Sequence, residues 1–471
     1  MNTTPHSHDL IVIGAGPAGM AAATTASELG LSVALVDEQT LPGGQIYRSV
    51  GEPAPADTQL LGPDYAHGKA LVTALDAASV DYLPGATVWQ ISQDLEVALS
   101  MEGTSRLLRA PRIILATGAM ERPVPFPGWT LPGVMSCGAA QILLKSAALV
   151  PERVVLVGSG PLLLLLGCQL LDAGVKIDAV LDTTPWSNWP RALPYLPGAL
   201  RSWPYLLKGL RYLFRLRRAG IPWYNAASGL QARADDRGHL AGLRFQSGGK
   251  TRNIDCEFLL LHQGVVPNVQ ITRSLEAEHI WDELQRCWRP VTDEWGNTSV
   301  PGVLVAGDGA GIGGAWAAEH QGRLAALAAA HDLERLSTER RDQLARTERA
   351  ALAPHRPIRP FLDALYAPAA EFLRPADDTV VCRCEEVSAG DIRRFVSMGC
   401  LGPNQTKAFG RSGMGPCQGR LCGLTVSELI AGERGVSPAE VGYYHIRPPI
   451  KPVTLGELAG LAEAEESLPT N

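Results

Sequence analysis

Residues 9–38 read DLIVIGAGPAGMAAATTASELGLSVALVDE: an apolar strand, a glycine-rich turn, an alanine-rich helix and a second strand. Gly14, Gly16 and Gly19 occupy the G-x-G-x-x-G positions and Asp37 ends the second strand, which together make a dinucleotide-binding fingerprint. Each part has a chemical reason. Gly14 permits the tight turn, Gly16 lets backbone N–H groups reach a pyrophosphate, and Gly19 lets helix and strand pack closely. The helix N-terminus favours the anion. Asp37, with Glu38 beside it, is placed to accept hydrogen bonds from ribose hydroxyls. The fold class that follows is α/β, built on Rossmann-like dinucleotide-binding units.

A second unit of the same kind, RVVLVGSGPLLLLLGCQLLDAGVKIDAVLDTT, spans residues 153–184. It keeps Gly158 and Gly160 but carries Leu163 at the third glycine, and Asp182-Thr183 offers no arginine for a 2′-phosphate. This repeat reads as a folded but degenerate nucleotide domain, closed by LHQGVVPN at 261–268.

At 471 residues the chain exceeds one ordinary core, and 46% hydrophobic with 19% charged residues make it globular. A formal charge of −6 argues against a general nucleic-acid binder and points to a small molecule or a protein as partner. The start, MNTTPHSHDL, has neither a basic nor an apolar leader region, and the apolar run at 161–171 is about half of what a bilayer crossing needs. A cytoplasmic chain is expected.

Nine cysteines without a leader argue for thiols as metal or redox groups rather than a disulfide framework. Cys137, Cys168, Cys256 and Cys287 are scattered and read as buried small hydrophobes, so this part of the chain offers no close pair of thiols. Near the C-terminal end, Cys382-x-Cys384 and Cys417-x4-Cys422 set four soft ligands in two close pairs, which suits either an iron–sulfur cluster or zinc. Gly413, Gly415, Gly419 and Gly423 surround the second pair, and Arg383, Arg411 and Arg420 are either counter-charges or solvated cations. Cys400 stands alone.

The expected organisation is a first nucleotide domain over 1–125 and 290–330 and an inserted degenerate one over 126–289. A helical linker over 331–377 and a cysteine module over 378–455 follow. Within the inserted domain, 186–220 is rich in Trp, Pro and Arg. Leu206, Leu210, Leu213 and Phe214 share one helical face there, with Arg211, Arg215 and Arg218 elsewhere. That helix reads first as packed with a solvated basic face, second as a subunit interface, third as a membrane-surface helix.

PGGQIYR at 42–48, RIILATGA at 112–119 and SVPGVLVAGDGAGIGGAWAAEHQG at 299–322 resemble, in this order, the two-dinucleotide-domain flavoproteins related to thioredoxin and glutathione reductases. The resemblance implies FAD at the first site, with Gly43, Gly44, Gln45, Thr117, Gly118, Gly307 and Asp308 added to its lining. Asp308 would bond the ribityl chain or, in the plainer reading, cap the following helix. ERPVPFPGWTLPGVM at 121–135, CRCEEV at 382–387 and GMGPCQGRLC at 413–422 extend the likeness over nearly the whole chain. They resemble the α subunits of bacterial heteromeric amino-acid dehydrogenases acting on D-hydroxyproline, L-proline or opines, and the B-type subunit of hydrogen cyanide synthase.

That family implies a fused module like bacterioferritin-associated ferredoxin, with a [2Fe–2S] cluster on Cys382, Cys384, Cys417 and Cys422. It also implies a catalytic flavoprotein β subunit of the D-amino-acid-oxidase type that oxidises the amino or imino acid, and it leaves room for a small ferredoxin-like subunit. Electrons would pass to a quinone or another non-NAD acceptor, which is compatible with peripheral contact at the inner membrane. The alternatives are a stand-alone NAD(P)H reductase, a cyanide-forming glycine dehydrogenase subunit, and a scaffold with a zinc-stapled tail.

Overall fold

The structure, a computed structural model, describes residues 7–51 and 58–466. Strands Val303–Val305, Arg112–Leu115, Leu10–Ile13, Val33–Asp37 and Val80–Pro84 lie side by side in that order as one parallel sheet. Runs of Val, Ile and Leu suit strands covered on both faces. Alternate side chains sort accordingly: Leu10 and Val12 pack with the alanine-rich helices Pro17–Glu28 and Ala315–Asp332, while Ile11 and Ile13 face the opposite core. The two helices cross very closely, since a Cβ on Gly322 would stand 2.1 Å from the Ala18 carbonyl oxygen. On the opposite side lies an antiparallel sheet of Thr87–Ile91, Glu96–Met101 and Thr104–Arg109.

The middle domain repeats the plan. Its parallel sheet runs Trp223–Tyr224, Lys176–Asp182, Arg153–Ser159, Leu259–Gln263, Val134–Ser136, and an antiparallel sheet of Ser228–Ala234, Leu240–Ser247 and Lys250–Asp255 covers one face. The chain enters and leaves through an antiparallel ribbon of Ala119–Glu121 against Val265–Pro267. The domain therefore closes at this ribbon rather than near residue 289. Ile271, Leu275 and Ala277 join the core of the first domain, and Arg122 donates to the carbonyls of Gln285 and Arg286, fixing the hairpin that follows.

After the first domain come the helices Thr338–Leu352, Arg359–Leu365 and Ala370–Leu373, and the later part of this segment is strapped to the middle domain. The Asn188 side chain donates to the carbonyls of Leu365 and Ala367 at 3.0 and 2.9 Å, and Phe372 lies in the core beneath the second sheet. In the cysteine module, Ala389–Ser397, Pro403–Gly410 and Gly423–Arg434 pack together, the first opened by a Ser388/Asp391 capping box. Val381, Ile392, Phe395, Val426 and Leu429 belong to one continuous hydrophobic cluster with Ile11, Val36 and Ile113 of the first sheet. Ile450 N–H donates to the Trp89 carbonyl at 2.8 Å, and Arg286 pairs with the buried Glu428 at 2.6 Å. Module and first domain thus share a core.

The helix Trp203–Arg218 departs from the expected face. It rests on the inserted domain through its Tyr212 and Leu216 side, while Leu210 and Phe214 point into solvent with Trp203 and Leu207. Among the described residues no helix is long and apolar enough to cross a membrane.

Candidate cofactor sites

The first fingerprint loop closes on itself through short backbone contacts. Gly14 N–H donates to the Val36 carbonyl at 2.7 Å, and Gly43 N–H donates to the Ala15 carbonyl at 2.8 Å, which brings the loop after the second strand against the first. A Cβ on Gly19 would stand 1.7 Å from the Gly14 carbonyl oxygen, and one on Gly44 would stand 2.8 Å from the Gly16 Cα. Around the same strand ends, Gly307 lies against Ala18, and Gly309 against Thr117 and Gly118. Gly14, Gly16, Gly43, Gly44, Thr117, Gly118 and Gly307 are therefore gathered at the C-terminal edge of the sheet, where open α/β sheets bind nucleotides.

Two acids do something different from the simplest sequence reading. Both oxygens of Asp37 are used by the backbone, Oδ2 by Ala15 N–H and Oδ1 by Gln39 N–H at 2.7 Å; burial pushes this carboxyl up and those bonds pull it back. Asp37 braces the loop, and Glu38 beside it is exposed and, among the described residues, pairs with Lys451 at 2.6 Å. Asp308 Oδ1 accepts the N–H groups of Gly313 and Gly314, both at 2.8 Å, at the start of Ala315–Asp332. The helix-capping reading thus describes one of its oxygens, and Oδ2 carries no bond among the described residues.

One residue of this site is missing from the sequence reading. Lys145, 2% exposed, donates to the carbonyls of Gln45 at 3.1 Å and Ile46 at 2.8 Å and to Gln141 Oε1 at 3.0 Å. Desolvation, helped by Arg48, lowers it from 10.5 to about 7. A signal for it exists in the sequence: it is the one cation in the apolar helix CGAAQILLKSA.

The second fingerprint loop is covered. Leu163 fills the third-glycine position and lies in the core with Leu156, Cys137 and Ala140, so the helix is held by apolar packing. The Tyr366 ring stands 4.0 Å from where a Cβ on Gly160 would lie and beside Asp182, roofing the loop with linker residues. Asp182 itself is turned to Thr184 N–H at 2.9 Å.

The four clustered thiols stand as two pairs, Cys382 with Cys422 and Cys384 with Cys417. Among the described residues no three His, Cys, Asp or Glu side chains are gathered closely enough to hold a metal ion as placed. Even so, the donor set fits a cluster that takes two thiolates per iron, because the pairs adjoin and interact electrostatically. The hydrogen bond from Cys422 and the N–H groups of Gly413, Glu385 and Cys384 lower the Cys382 thiol to about 6, against desolvation. Gly415 leaves the room this needs, since its Cβ would stand 2.2 Å from that of Cys384. The arginines are occupied elsewhere: Arg383 over the Trp129 ring, Arg411 with Glu385, and Arg420 on the Ile450 carbonyl. Cys168, Cys256 and Cys287 are buried thiols pushed up by desolvation to about 11, 11 and 12. Cys400 is buried and likewise raised.

Comparison with known proteins agrees with this layout. Residues 8–332 match the pyridine nucleotide-disulphide oxidoreductase family, and residues 377–461 match the sarcosine oxidase A3 domain. The chain is 46% identical to the A-type subunit of opine oxidase from Agrobacterium tumefaciens (strain Ach5), covering 98% of this chain and 93% of that one. It is 32% identical to hydrogen cyanide synthase subunit HcnB of Pseudomonas aeruginosa, over 96% of this chain and 98% of that one. A crystal structure of L-proline dehydrogenase from P. horikoshii superposes with a TM-score of 0.71 at 18% identity, covering 96% of this chain and 79% of that chain, a likeness of fold. The chain belongs to the pyridine nucleotide-disulphide oxidoreductase family and, within it, to the α-type subunits of heteromeric FAD-dependent amino-acid oxidoreductases.

Proposed function

We propose that this chain is the FAD- and [2Fe–2S]-containing electron-transfer component of a heteromeric dehydrogenase for an amino or imino acid of the D-hydroxyproline, proline or opine class. Its electrons go to a quinone or another non-nicotinamide acceptor. The observation that carries the reading is the joining of glycine cradle and thiol pairs on one core. Asn268 N–H donates to the Gly118 carbonyl at 3.0 Å, and two residues on the Gln270 amide donates to the Gln418 carbonyl at 3.0 Å, next to Cys417. A short bonded route therefore links the two candidate sites.

In this assignment Gly14, Gly16, Gly43, Gly44 and Gln45 hold the pyrophosphate by their backbone, and Glu38 accepts ribose hydroxyls. Gly307, Thr117, Gly118 and the Asp308 oxygen that is unbonded among the described residues would complete the hold on the flavin nucleotide. Cys382, Cys384, Cys417 and Cys422 hold the cluster. When bound, a flavin accepts electrons in pairs and releases them singly, and a [2Fe–2S] cluster carries them one at a time. The chain's own contribution is to hold both groups at fixed spacing and to keep nicotinamide away, because Tyr366 roofs the second loop.

The catalytic step belongs in this reading to a partner flavoprotein of the D-amino-acid-oxidase type, and a small ferredoxin-like protein is a further member of the complex. Greater identity to the opine oxidase relative than to HcnB, 46% against 32%, ranks an opine-like substrate above cyanide-forming glycine oxidation.

The test is anaerobic stopped-flow reduction. The isolated chain is expected to bleach slowly with NADH and with free amino acids, and co-expression with its partner to restore reduction by an opine or proline-like substrate. Rapid, complete bleaching of the isolated chain by micromolar NADH would overturn the reading in favour of a reductase. Iron and sulfide assays complete it: Cys384→Ser and Cys417→Ser should lose both, and Cys400→Ser should keep them.

A further inference from the structure

Between Thr183 and Gly220 the chain carries seven Lys and Arg and no Asp or Glu, although its net charge is −6. Two of these cations are neutralised, Lys208 by Asp64 and Arg215 by Asp172. Among the described residues Arg191, Arg201, Arg211 and Arg218 have no carboxylate partner. The same stretch also exposes several large apolar side chains. Trp203, Leu210 and Phe214 are 61%, 62% and 66% exposed, and Trp186 and Trp189 are 66% and 50% exposed.

Trp203, Leu207, Leu210 and Phe214 follow the i, i+4, i+7, i+11 spacing, so they form one stripe down the outer face of the helix Trp203–Arg218. At 100° per residue Arg217 borders the stripe on one side and Arg211 and Arg218 on the other. Arg217 stacks on the Trp223 ring at 4.5 Å, so the free charges lie on the side of Arg211 and Arg218. The opposite face, with Tyr212 and Leu216, is packed on the inserted domain, so the helix is already anchored with its apolar stripe turned outward.

We propose that residues 186–218 dock on an anionic lipid bilayer, with the Trp203–Arg218 helix lying along the headgroup layer over about 24 Å of its length. Charge selects this occupant. Arginines flanking exposed Trp, Leu and Phe match a surface that is apolar below and negatively charged above. A second copy fits less well, because a two-fold contact along this helix would gather the arginines of both copies in an interface that, between Thr183 and Gly220, carries no carboxylate to pair them. The proposal does not depend on either cofactor assignment.

The test is co-sedimentation of the full chain with vesicles of phosphatidylglycerol and phosphatidylcholine. Binding is expected on the mixed vesicles and at least tenfold less on phosphatidylcholine alone, and to weaken as salt is raised. Leu210→Glu with Phe214→Glu should abolish it, and Arg211→Glu with Arg218→Glu should weaken it at least tenfold. All four positions are exposed, so the melting temperature should be unchanged and serves as the control for folding. No binding to anionic vesicles, or binding indifferent to both double variants, overturns the proposal. So does a dimer in sedimentation velocity that Leu210→Glu dissolves, which assigns the face to a second copy. Loss of vesicle binding once the catalytic partner is bound would give the face to that partner instead.

Discussion

The two glycine loops of this chain look alike in sequence and differ in what requires the glycine. In the first, Gly16 has φ −76°, and only the Gly44 Cα, at 3.9 Å, comes near the place a Cβ would occupy. Among the described residues nothing asks for glycine there. In the second, Gly160 has φ +99°, a conformation that side chains rarely adopt, and Gly158 would place a Cβ 1.9 Å from the His262 carbonyl oxygen. The degenerate loop has kept the glycines its own backbone needs and has given the third position to a leucine of the core. The first loop keeps one the fold does not need, which is the mark of a requirement imposed by something bound.

This contrast can be broken by substitution. Gly19→Val should have the largest effect, because the added atoms meet the Gly14 carbonyl: loss of folded protein, or destabilisation of about 4 kcal/mol or more in urea unfolding. Gly16→Val should leave the unfolding of the apoprotein nearly unchanged and weaken FAD by at least about 100-fold, roughly 3 kcal/mol, measured by flavin titration. A folded variant with normal FAD affinity would remove the distinction drawn between the loops. In the second loop, Leu163→Ala should cost about 2–5 kcal/mol of stability and leave NADH binding absent by calorimetry, since Tyr366 still covers the glycines.

Lys145 sharpens the comparison, because it props the loop that faces Gly16. Its folded value, about 7, lies below the ordinary 10.5, so between these the unfolded chain binds the proton that the folded one has released. The stability of the wild type relative to Lys145→Met should therefore be flat below pH 7. It should rise from about pH 7 toward 10.5, by at most about 1.4 kcal/mol per pH unit. Urea unfolding of both proteins across that range reads the difference. The smallest effect is expected of Glu38→Gln, a weakening of FAD by about 1 kcal/mol, roughly fivefold, with stability unchanged.

Both βαβ units, the order of the pieces that line the first site and the grouping of four thiols near the C-terminal end are legible because they are local patterns: a 2-period or a 3.6-period, a glycine at a fixed offset, a thiol one residue from another. Which thiols meet is not, since Cys382 stands with Cys422 and Cys384 with Cys417 rather than each with its sequence neighbour. What escapes depends on where distant chain segments come to rest. Asp37 reads as a ribose acceptor, and only the fold shows that it also holds the glycine loop through the Ala15 N–H. The close of the inserted domain is not readable, because Ile271 and Leu275 are apolar in either domain and only the sheet they touch decides. Periodicity groups Phe214 with Leu210 correctly, but it gives a face without saying which way that face turns. Tyr366 carries no motif at all. Its position comes from Asn188 binding the backbone on either side of it.

The cluster of side chains that runs unbroken from Ile11 and Ile113 to Phe395 and Leu429 bears on how such a protein could arise by gene fusion. A cysteine module added as a bead on a string would need no more than a tether, and it could be traded freely among unrelated hosts. Here the host must offer apolar side chains continuous with those of the module, and leave the Trp89 carbonyl for Ile450. Cutting the gene near residue 378 would leave those side chains wet and sticky. The shortened product would clump before it could serve as a smaller enzyme, and selection would tend to keep the two halves in one reading frame.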